Sequence, residues 1–539
     1  MKHNKETRSG AKALIEALEK AGVDTVFGYP GGNVIDIFDC AIDAKFRFIL
    51  GRHEQGCVHM ADGYARASGR TGVILVTSGP GLTNAISGLG AANMDGIPLV
   101  LICGQVPLSD IGTDAFQEAD TTGLTRAVSK HNFLVKSADE IPETIAQAFH
   151  IAKRGKPGVV VIDVPRDCQR ALTASRHPLK VSLRAYLPER PIRPSDTARL
   201  ASLLNSAKRP LIYAGGGVIA AEASADVAAL SKKASIPVIT TMTGIGSIDS
   251  SNPLALGMAG VHGSTQAKKA LAHADVVLAL GVRFNDRISS PLLGKTPKII
   301  HVDCDASVIG RNVPATLGIV ADVKDLLTSV SSRIRPASHD EWLKLCHSFK
   351  PKNGRKRRGK AIQPESVIEL INRLASDGFI AVTDVGQHQI WAARDLKRIR
   401  PRHFISSGGM GAMGFGLPAA IGAAIARSDR KVIAFLGDGG AQMTAEELAV
   451  ASELNLQVTF IVFSNNSLGL VRQMQKTECS GRFFATKISS PDFVKLASAY
   501  GIKAGRVSEP SKLETAIARA LNSKGPYLLE VKISEEAEI

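Results

Sequence analysis

The stretch VIAFLGDGGAQMTAEELAVASELNLQVTFIVFSNNS, residues 432–467, decides the fold. Its apolar run 432–436 has the length of a buried strand and ends in the turn Gly437-Asp438-Gly439-Gly440. A second run, 458–463, ends in Ser464-Asn465-Asn466-Ser467. Between the two, Thr444 and Glu447 stand at the S/T-x-x-E spacing of a capping box, which predicts a helix continuing to about Leu454. Strand, helix and strand in this order predict a βαβ unit whose two parallel strands end on the same edge of a sheet, where ligands of such folds bind. Asp438 and Asn465 should therefore converge although 27 positions separate them.

The same alternation recurs along the chain: 73–77 before SGPG, 211–214 before GGG, and 276–280 before GVR. Strands apolar on both faces, each followed by a glycine turn and a helix, mean parallel sheets covered on both sides. Two polar stretches bearing proline and arginine, 169–196 and 332–364, interrupt the rhythm. The expectation is an α/β protein of three doubly wound parallel-sheet domains, 1–170, 190–335 and 362–539. A chain of 539 residues is long enough for three such cores. No fixed-period repeat is visible.

Hydrophobic residues at 44% and charged residues at 22% exclude collagen-like, coiled-coil and disordered classes. The net charge of +16 raises the question of nucleic acid, but seven of the positive charges crowd into residues 350–360, which contain Pro351, Gly354 and Gly359 and no aromatic residue. That run reads as a solvated linker, and anionic small molecules are the better partner expectation. The seven cysteines are scattered with no CxxC or CxxH spacing, against a disulfide framework or a zinc site. Neither a signal-peptide core nor an 18-residue apolar stretch occurs, so the expectation is a soluble cytoplasmic protein with no membrane contact.

A carboxylate and an amide oxygen beside glycines that permit close approach suit an octahedral Mg²⁺ bridging to a diphosphate, since Mg²⁺ takes hard oxygens and shares its shell with phosphate and water. A GDG turn alone would read as a turn; the pair at this spacing, each member after a buried strand, favours the ion. GDG followed by an asparagine-bearing turn resembles the diphosphate-binding motif of thiamine diphosphate enzymes. The resemblance implies side-chain ligands Asp438 and Asn465 and the main-chain carbonyl of Ser467, with Gly437, Gly439 and Gly440 beside the diphosphate. Alignment from Glu447 and Gly469 puts Ser464 and Asn465 at the usual asparagine pair and leaves Asn466 as an extra one, so the choice between Asn465 and Asn466 stays open. Upstream, DVGQHQ at 384–389 and SGGMGAMG at 407–414 resemble the segments that hold the diphosphate (Gln387, His388) and the aminopyrimidine (Gly411, Met413).

Nearer the start, GYPGG at 28–32, GRHEQG at 51–56, TSGPG at 77–81, GTDAFQEAD at 112–120 and KHN at 130–132 occur within one domain-sized stretch. Together they resemble the pyrimidine-binding domain of acetolactate synthase catalytic subunits. The resemblance implies that Glu54 hydrogen-bonds N1′ of the cofactor, that Gly31 lies against it, and that Gln117, Lys130 and Arg283 join the catalytic set. Glu54 at a strand-to-helix junction, taken by itself, would only complement the helix dipole.

The middle third offers AGGGV at 214–218, GMAGVHG at 257–263, GVRFNDR at 281–287 and HVDCD at 301–305. A lone GGG is weak evidence, but the set resembles the FAD-binding middle domain of the same family and implies Gly216, Gly217, Gly260, His262, Gly263 and Asp303 as flavin contacts. The family reading implies decarboxylation of pyruvate and carboligation to a second 2-oxoacid, giving 2-acetolactate. It implies a homodimer or homotetramer in which Glu54 and Asp438 of different subunits meet, with room for a regulatory subunit. The rival readings are a 2-oxoacid decarboxylase or sulfoacetaldehyde acetyltransferase of the same architecture, and a non-catalytic nucleotide- or nucleic-acid-binding protein. Three features depart from the family pattern: Asn285 stands where an aspartate is usual, Met474 stands where a tryptophan packs beside the acceptor, and the chain ends in SEEAEI without the usual tail, which should alter closure over the site.

Overall fold

The computed structural model describes residues 7–539 apart from 179, 182, 184, 185, 187–189, 289–296 and 351–360; the basic run, except Lys350, lies outside the described residues. Three six-stranded parallel sheets follow one another along the chain, each covered by helices, in a three-domain α/β architecture. The first comprises Thr25–Gly28, Arg47–Leu50, Gly72–Val76, Leu99–Gln105, His131–Leu134 and Val159–Pro165. Numbered in chain order, these strands lie 2-1-3-4-6-5 across the sheet. The third sheet, Ile380–Thr383, Phe404–Ser406, Val432–Gly437, Val458–Ser464, Lys503–Val507 and Tyr527–Lys532, repeats that order. The first and third domains thus share a topology that no sequence repeat announces. The middle sheet, Pro210–Ala214, Val238–Thr240, Ala255–Met258, Val276–Leu280, Lys298–Asp303 and Leu317–Val320, has the order 3-2-1-4-5-6, the dinucleotide-binding arrangement.

The inner strands are buried along their whole length, as Gly72–Val76, Leu99–Gln105, Val276–Leu280 and Val458–Ser464 show. That is why they read as continuous apolar runs rather than alternating ones. Each sheet has a point where the chain order reverses, between strands 1 and 3 in the first and third sheets and between strands 1 and 4 in the middle one. Ligands of such folds bind beyond the strand ends at that point.

By internal packing the chain divides into two units. One joins Met1–Leu187 with Gly409–Asp429 and Met443–Val458; the other joins Pro188–Gly408 with Arg430–Gln442 and Thr459–Ile539. Two pieces of the C-terminal third therefore pack with the first domain. In the first unit the helix Gly416–Ala426 lies against the helix Glu54–Ser68 at backbone distance, since a Cβ on Gly63 would overlap the Ala419 carbonyl and one on Gly422 the Met60 carbonyl. In the second unit the helix Asp340–Ser348, inside a stretch that read as interdomain, buries Trp342 and Cys346 in the middle domain, and the Trp342 indole donates to Pro210 O at 2.9 Å. Spaced one helical turn apart in a polar segment, those two residues form a narrow apolar stripe. Among the described residues no helix is long and apolar enough to cross a membrane.

Candidate active site

In the second unit the site is built at the reversal point of the third sheet. Asp438 follows the strand Val432–Gly437, Asp384 follows Ile380–Thr383, and Asn465 follows Val458–Ser464, so all three stand at strand C-termini. The expected convergence is present: Asp438 Oδ2 accepts the backbone N–H of Asn465 at 2.9 Å and of Asn466 at 2.6 Å, and the Ser490 hydroxyl at 3.0 Å. Its Oδ1 accepts the N–H of Gly439 at 3.0 Å. Burial pushes the Asp438 carboxyl up, while these donors pull it down. Asn465 is half-buried, with Oδ1 accepting the Ser467 N–H at 3.2 Å, whereas Asn466 is exposed in the left-handed region at φ 56°. The two alternatives left open by the sequence thus differ in exposure, Asn465 being half-buried and Asn466 exposed.

The helix does not begin as expected. It starts at Asp438 itself, spans Asp438–Met443, and passes through a 3₁₀ turn, Ala445–Glu447, into Leu448–Glu453. The Thr444–Glu447 capping box does not form. Thr444 donates instead to Gly414 O at 2.9 Å, and Glu447 reaches the backbone of Arg52 and His53, so both side chains are committed to tertiary partners in the first unit.

Around Asp438 the glycines leave no room for side chains. A Cβ on Gly440 would fall 2.7 Å from Asp384 Oδ1, one on Gly437 would fall 2.8 Å from the His388 ring, and one on Gly469 would overlap Gln387 Oε1. His388 is buried, its ring stacks on Phe463 at 6.5 Å, and its Nε2 has no hydrogen-bond partner. Burial lowers its pKa to about 3, so the imidazole is neutral at pH 7. The Gln387 amide donates to Gln473 Oε1 at 2.9 Å and to Ala537 O at 2.7 Å, and the Trp391 indole donates to Glu538 O at 3.4 Å. The segment 535–539 thus docks beside Gln387, tied further by Arg472 to Glu535 and Glu536 and by Lys476 to Glu538. Met474, on the helix Gly469–Glu478, is partly exposed.

In the first unit Glu54 is the first residue of the helix Glu54–Ser68, which begins four residues after the strand Arg47–Leu50. It is buried, and its Oε2 accepts the Asn84 amide at 2.9 Å. Gly31 lies against Thr77, where a Cβ would come 2.5 Å from the side chain, and the Asn33 amide donates to Ser78 Oγ at 2.6 Å, which ties the turn after the first strand to the turn after the third. Gln117 takes φ 61° and packs its backbone against Gly79. Gly411, at φ 70°, and the half-buried Met413 also belong to this unit rather than to the unit of Gln387 and His388.

Lys130 is a correction. It precedes the strand His131–Leu134 at the N-terminal edge of the sheet, opposite the edge that carries Glu54. Its ammonium donates to Ile151 O and Arg154 O at 2.6 Å each and lies over the Tyr186 ring at 5.3 Å. A cation at the end of the helix Ile141–Lys153 complements its dipole and last carbonyls, which is a structural task.

At the middle sheet's reversal point Gly215 and Gly217 approach Gly281 so closely that a Cβ on either would meet its backbone. Gly216, Gly260, His262, Gly263, Arg283 and Asp303 follow or end strands at the same C-terminal edge. Asp303 is buried, its Oδ1 accepting the Asp305 N–H at 2.9 Å, and burial holds His262 below its usual pKa. Sequence reasoning missed Asn84, Ser490 and Gln473, whose roles arise from tertiary contact and carry no local motif.

Among the described residues no cluster of three or more His, Cys, Asp or Glu side chains is placed to hold a metal. The donor set at Asp438 is of another kind, one carboxylate with neutral oxygens, which fits Mg²⁺. A glycine-bearing turn at a strand C-terminus and the unpartnered His388 nitrogen fit a diphosphate.

Three family models match in order: the thiamine pyrophosphate enzyme N-terminal TPP binding domain over residues 8–124, the central domain over 197–330, and the C-terminal TPP binding domain over 384–531. Similar proteins include a "Probable acetolactate synthase large subunit" of Methanocaldococcus jannaschii, 42% identical over 97% of this chain and 92% of that protein. The acetolactate synthase of Mycobacterium bovis is 40% identical over 98% and 89%, and the mitochondrial acetolactate synthase catalytic subunit of Saccharomyces cerevisiae is 38% identical over 98% and 81%.

Proposed function

The chain belongs to the acetolactate synthase family of thiamine pyrophosphate enzymes, and from that premise we propose how its own residues serve the reaction. It is a thiamine diphosphate-dependent carboligase that forms acetolactate from 2-oxoacids. When bound, thiamine diphosphate supplies the acidic carbon that adds to the ketone of pyruvate and the electron sink that lets carbon dioxide leave.

Asp438, the Asn465 amide oxygen and the Ser467 carbonyl would hold Mg²⁺, whose charge would offset repulsion between Asp438 and the diphosphate. Gly437, Gly439 and Gly440 would let the diphosphate approach the backbone beside Gln387 and His388; to donate to it, the Gln387 amide has to give up Gln473 or Ala537. Glu54, oriented by the Asn84 amide on its Oε2, would share a proton with the aminopyrimidine N1′. Gly31, Gly411 and Met413 pack around the aminopyrimidine, the thioether needing no polar partner. Gln117 would stand near the reacting carbon, and Arg283 would receive the carboxylate of the acceptor in a two-pronged contact.

Gly216, Gly217, Gly260, His262, Gly263 and Asp303 would hold FAD, in a structural role, at the middle sheet's reversal point. The active enzyme is a cytoplasmic homodimer or homotetramer whose sites form between subunits, with a regulatory subunit as a further partner.

The meeting of Asp438 and Asn465 carries this reading. The test is incubation of the purified chain with pyruvate, with and without thiamine diphosphate, Mg²⁺ and FAD, and identification of the product. 2-Acetolactate formed only with thiamine diphosphate and Mg²⁺ supports it; acetaldehyde as the sole product, or turnover without either cofactor, overturns it.

A further inference from the structure

The turn that presents Glu54 is held by a side chain from almost four hundred residues away. Arg52 and His53 donate their backbone N–H groups to Glu447 Oε1 at 3.1 Å each, and Arg52 N–H also reaches Oε2 at 3.2 Å. The Arg52 guanidinium pairs with Glu453, at the end of the helix Leu448–Glu453 that follows Glu447. Glu447 is completely buried, and Gly56 makes room for it: a Cβ there would overlap Glu447 Oε1.

The N–H groups before and within the first turn of a helix need acceptors from outside the helix. The N-cap residue of Glu54–Ser68, His53, supplies only Nδ1, to the N–H of Gln55 at 3.2 Å. The two N–H groups immediately before Glu54 are left to Glu447. A carboxylate accepting two adjacent backbone donors fixes the peptide planes of that turn, and with them the direction in which the next side chain, Glu54, leaves the backbone.

We propose that Glu447 is a positioning residue for Glu54: it locks the 51–53 turn so that the Glu54 carboxyl stands where its proton can be shared with the cofactor. The proposal rests on the reading of Glu54 as the N1′ partner. It requires an acceptor oxygen at 447 and not a charge, so Glu447→Gln, which keeps one, is the conservative rescue. Glu447→Ala removes the acceptor. Gly56→Ala displaces the carboxyl while leaving residue 447 intact, and serves if Glu447→Ala fails to fold.

Two readouts are needed on the full chain. The first is amide hydrogen exchange without added cofactor. Residues 51–57 should lose protection in Glu447→Ala and Gly56→Ala and keep it in Glu447→Gln, with the rest of the chain unchanged. The second is exchange of the thiamine diphosphate C2 proton for deuterium at saturating cofactor, which should slow by about tenfold or more in the first two variants, as misplacement of a catalytic group by a fraction of an ångström implies, and stay within about twofold of wild type in Glu447→Gln. Glu54→Gln run in parallel separates the two readings. If it slows exchange while Glu447→Ala and Gly56→Ala do not, the positioning role is overturned and Glu54 stands; if Glu54→Gln leaves exchange unchanged, both fall. Protection lost throughout the chain in Gly56→Ala would make Glu447 a general structural residue and overturn the proposal.

Discussion

Asp438 Oδ2 accepts the backbone N–H of Asn465 at 2.9 Å, closing the C-terminal ends of two parallel strands onto one carboxylate. With Asn466, Ser490 and Gly439 also donating, four groups orient Asp438 before any ion arrives. Preorganisation of this kind lowers the ordering cost of binding.

Replacing Asp438 by Asn keeps the volume and removes the charge that the ion needs. Thiamine diphosphate binding and activity should fall by more than the ~10–100-fold typical of residues that only support a metal ligand, while the fold is retained at a somewhat lower melting temperature, because the amide turns a donor onto one of the backbone N–H groups that Asp438 accepts. Titration calorimetry in the presence and absence of chelator measures this. Wild-type affinity in the variant, or full activity after exhaustive chelation, would rule out Asp438 as a ligand.

How much of this was legible depended on whether a task was local. The strand 432–437 and the turn after it could be read because burial on both faces forces a continuous apolar run and close approach forces glycine. Glu447 was misread for the opposite reason. Its spacing to Thr444 fits a local capping box, yet its acceptor capacity goes to Arg52 and His53, partners that no window of sequence contains. KHN matches a family pattern, yet Lys130 stands at the N-terminal edge of its sheet with its ammonium on the carbonyls of Ile151 and Arg154. Ser490 and Asn84 are ordinary polar residues until the fold sets them beside Asp438 and Glu54.

Glu54→Gln should slow exchange of the cofactor C2 proton by about 10²-fold or more, the usual scale for a positioned acid or base. The amide can still accept from Asn84 but has no acidic proton to share. NMR of deuterium incorporation gives the rate directly, and an unchanged rate would leave Glu54 as a helix-terminal carboxylate only.

His59 lies wholly buried on the same helix, with neither ring nitrogen hydrogen-bonded and its ring edge-on to Phe415 at 5.3 Å. Burial, with Arg66 adding repulsion, lowers its pKa to about 3. The folded state therefore resists a proton that the unfolded chain takes up below about pH 6.5, so stability falls as pH drops through 6.5 towards 3. By pH 5 the effect amounts to about 2 kcal/mol. His59→Leu should remove it: the melting temperature of the variant relative to wild type should rise by several degrees between pH 7.5 and pH 5. A constant difference across that range would show that His59 does not titrate in this way.

The last prediction concerns the acceptor. On the proposed reading Arg283, at the C-terminal edge of the middle sheet, meets the carboxylate of a 2-oxoacid, costly to desolvate unpaired, with a planar fork. Arg283→Lys keeps the charge but loses that geometry, so 2-oxoacids should lose their advantage over simple aldehydes. Discrimination between two 2-oxoacids is a separate matter of shape. The resemblance implies that Met474 replaces a tryptophan that packs beside the acceptor; a partly exposed, flexible thioether would offer less contact to the extra methylene of 2-oxobutanoate. One buried methylene contributes ~0.8 kcal/mol, and pockets of this kind discriminate by roughly 10–200-fold. The wild-type chain should therefore show little preference for 2-oxobutanoate and make mainly 2-acetolactate, while Met474→Trp should raise the preference towards that range. Competition between pyruvate and 2-oxobutanoate, with both products quantified, decides the matter. A strong wild-type preference for 2-oxobutanoate would refute the assignment to Met474, and unchanged selection against aldehydes in Arg283→Lys would refute the assignment to Arg283.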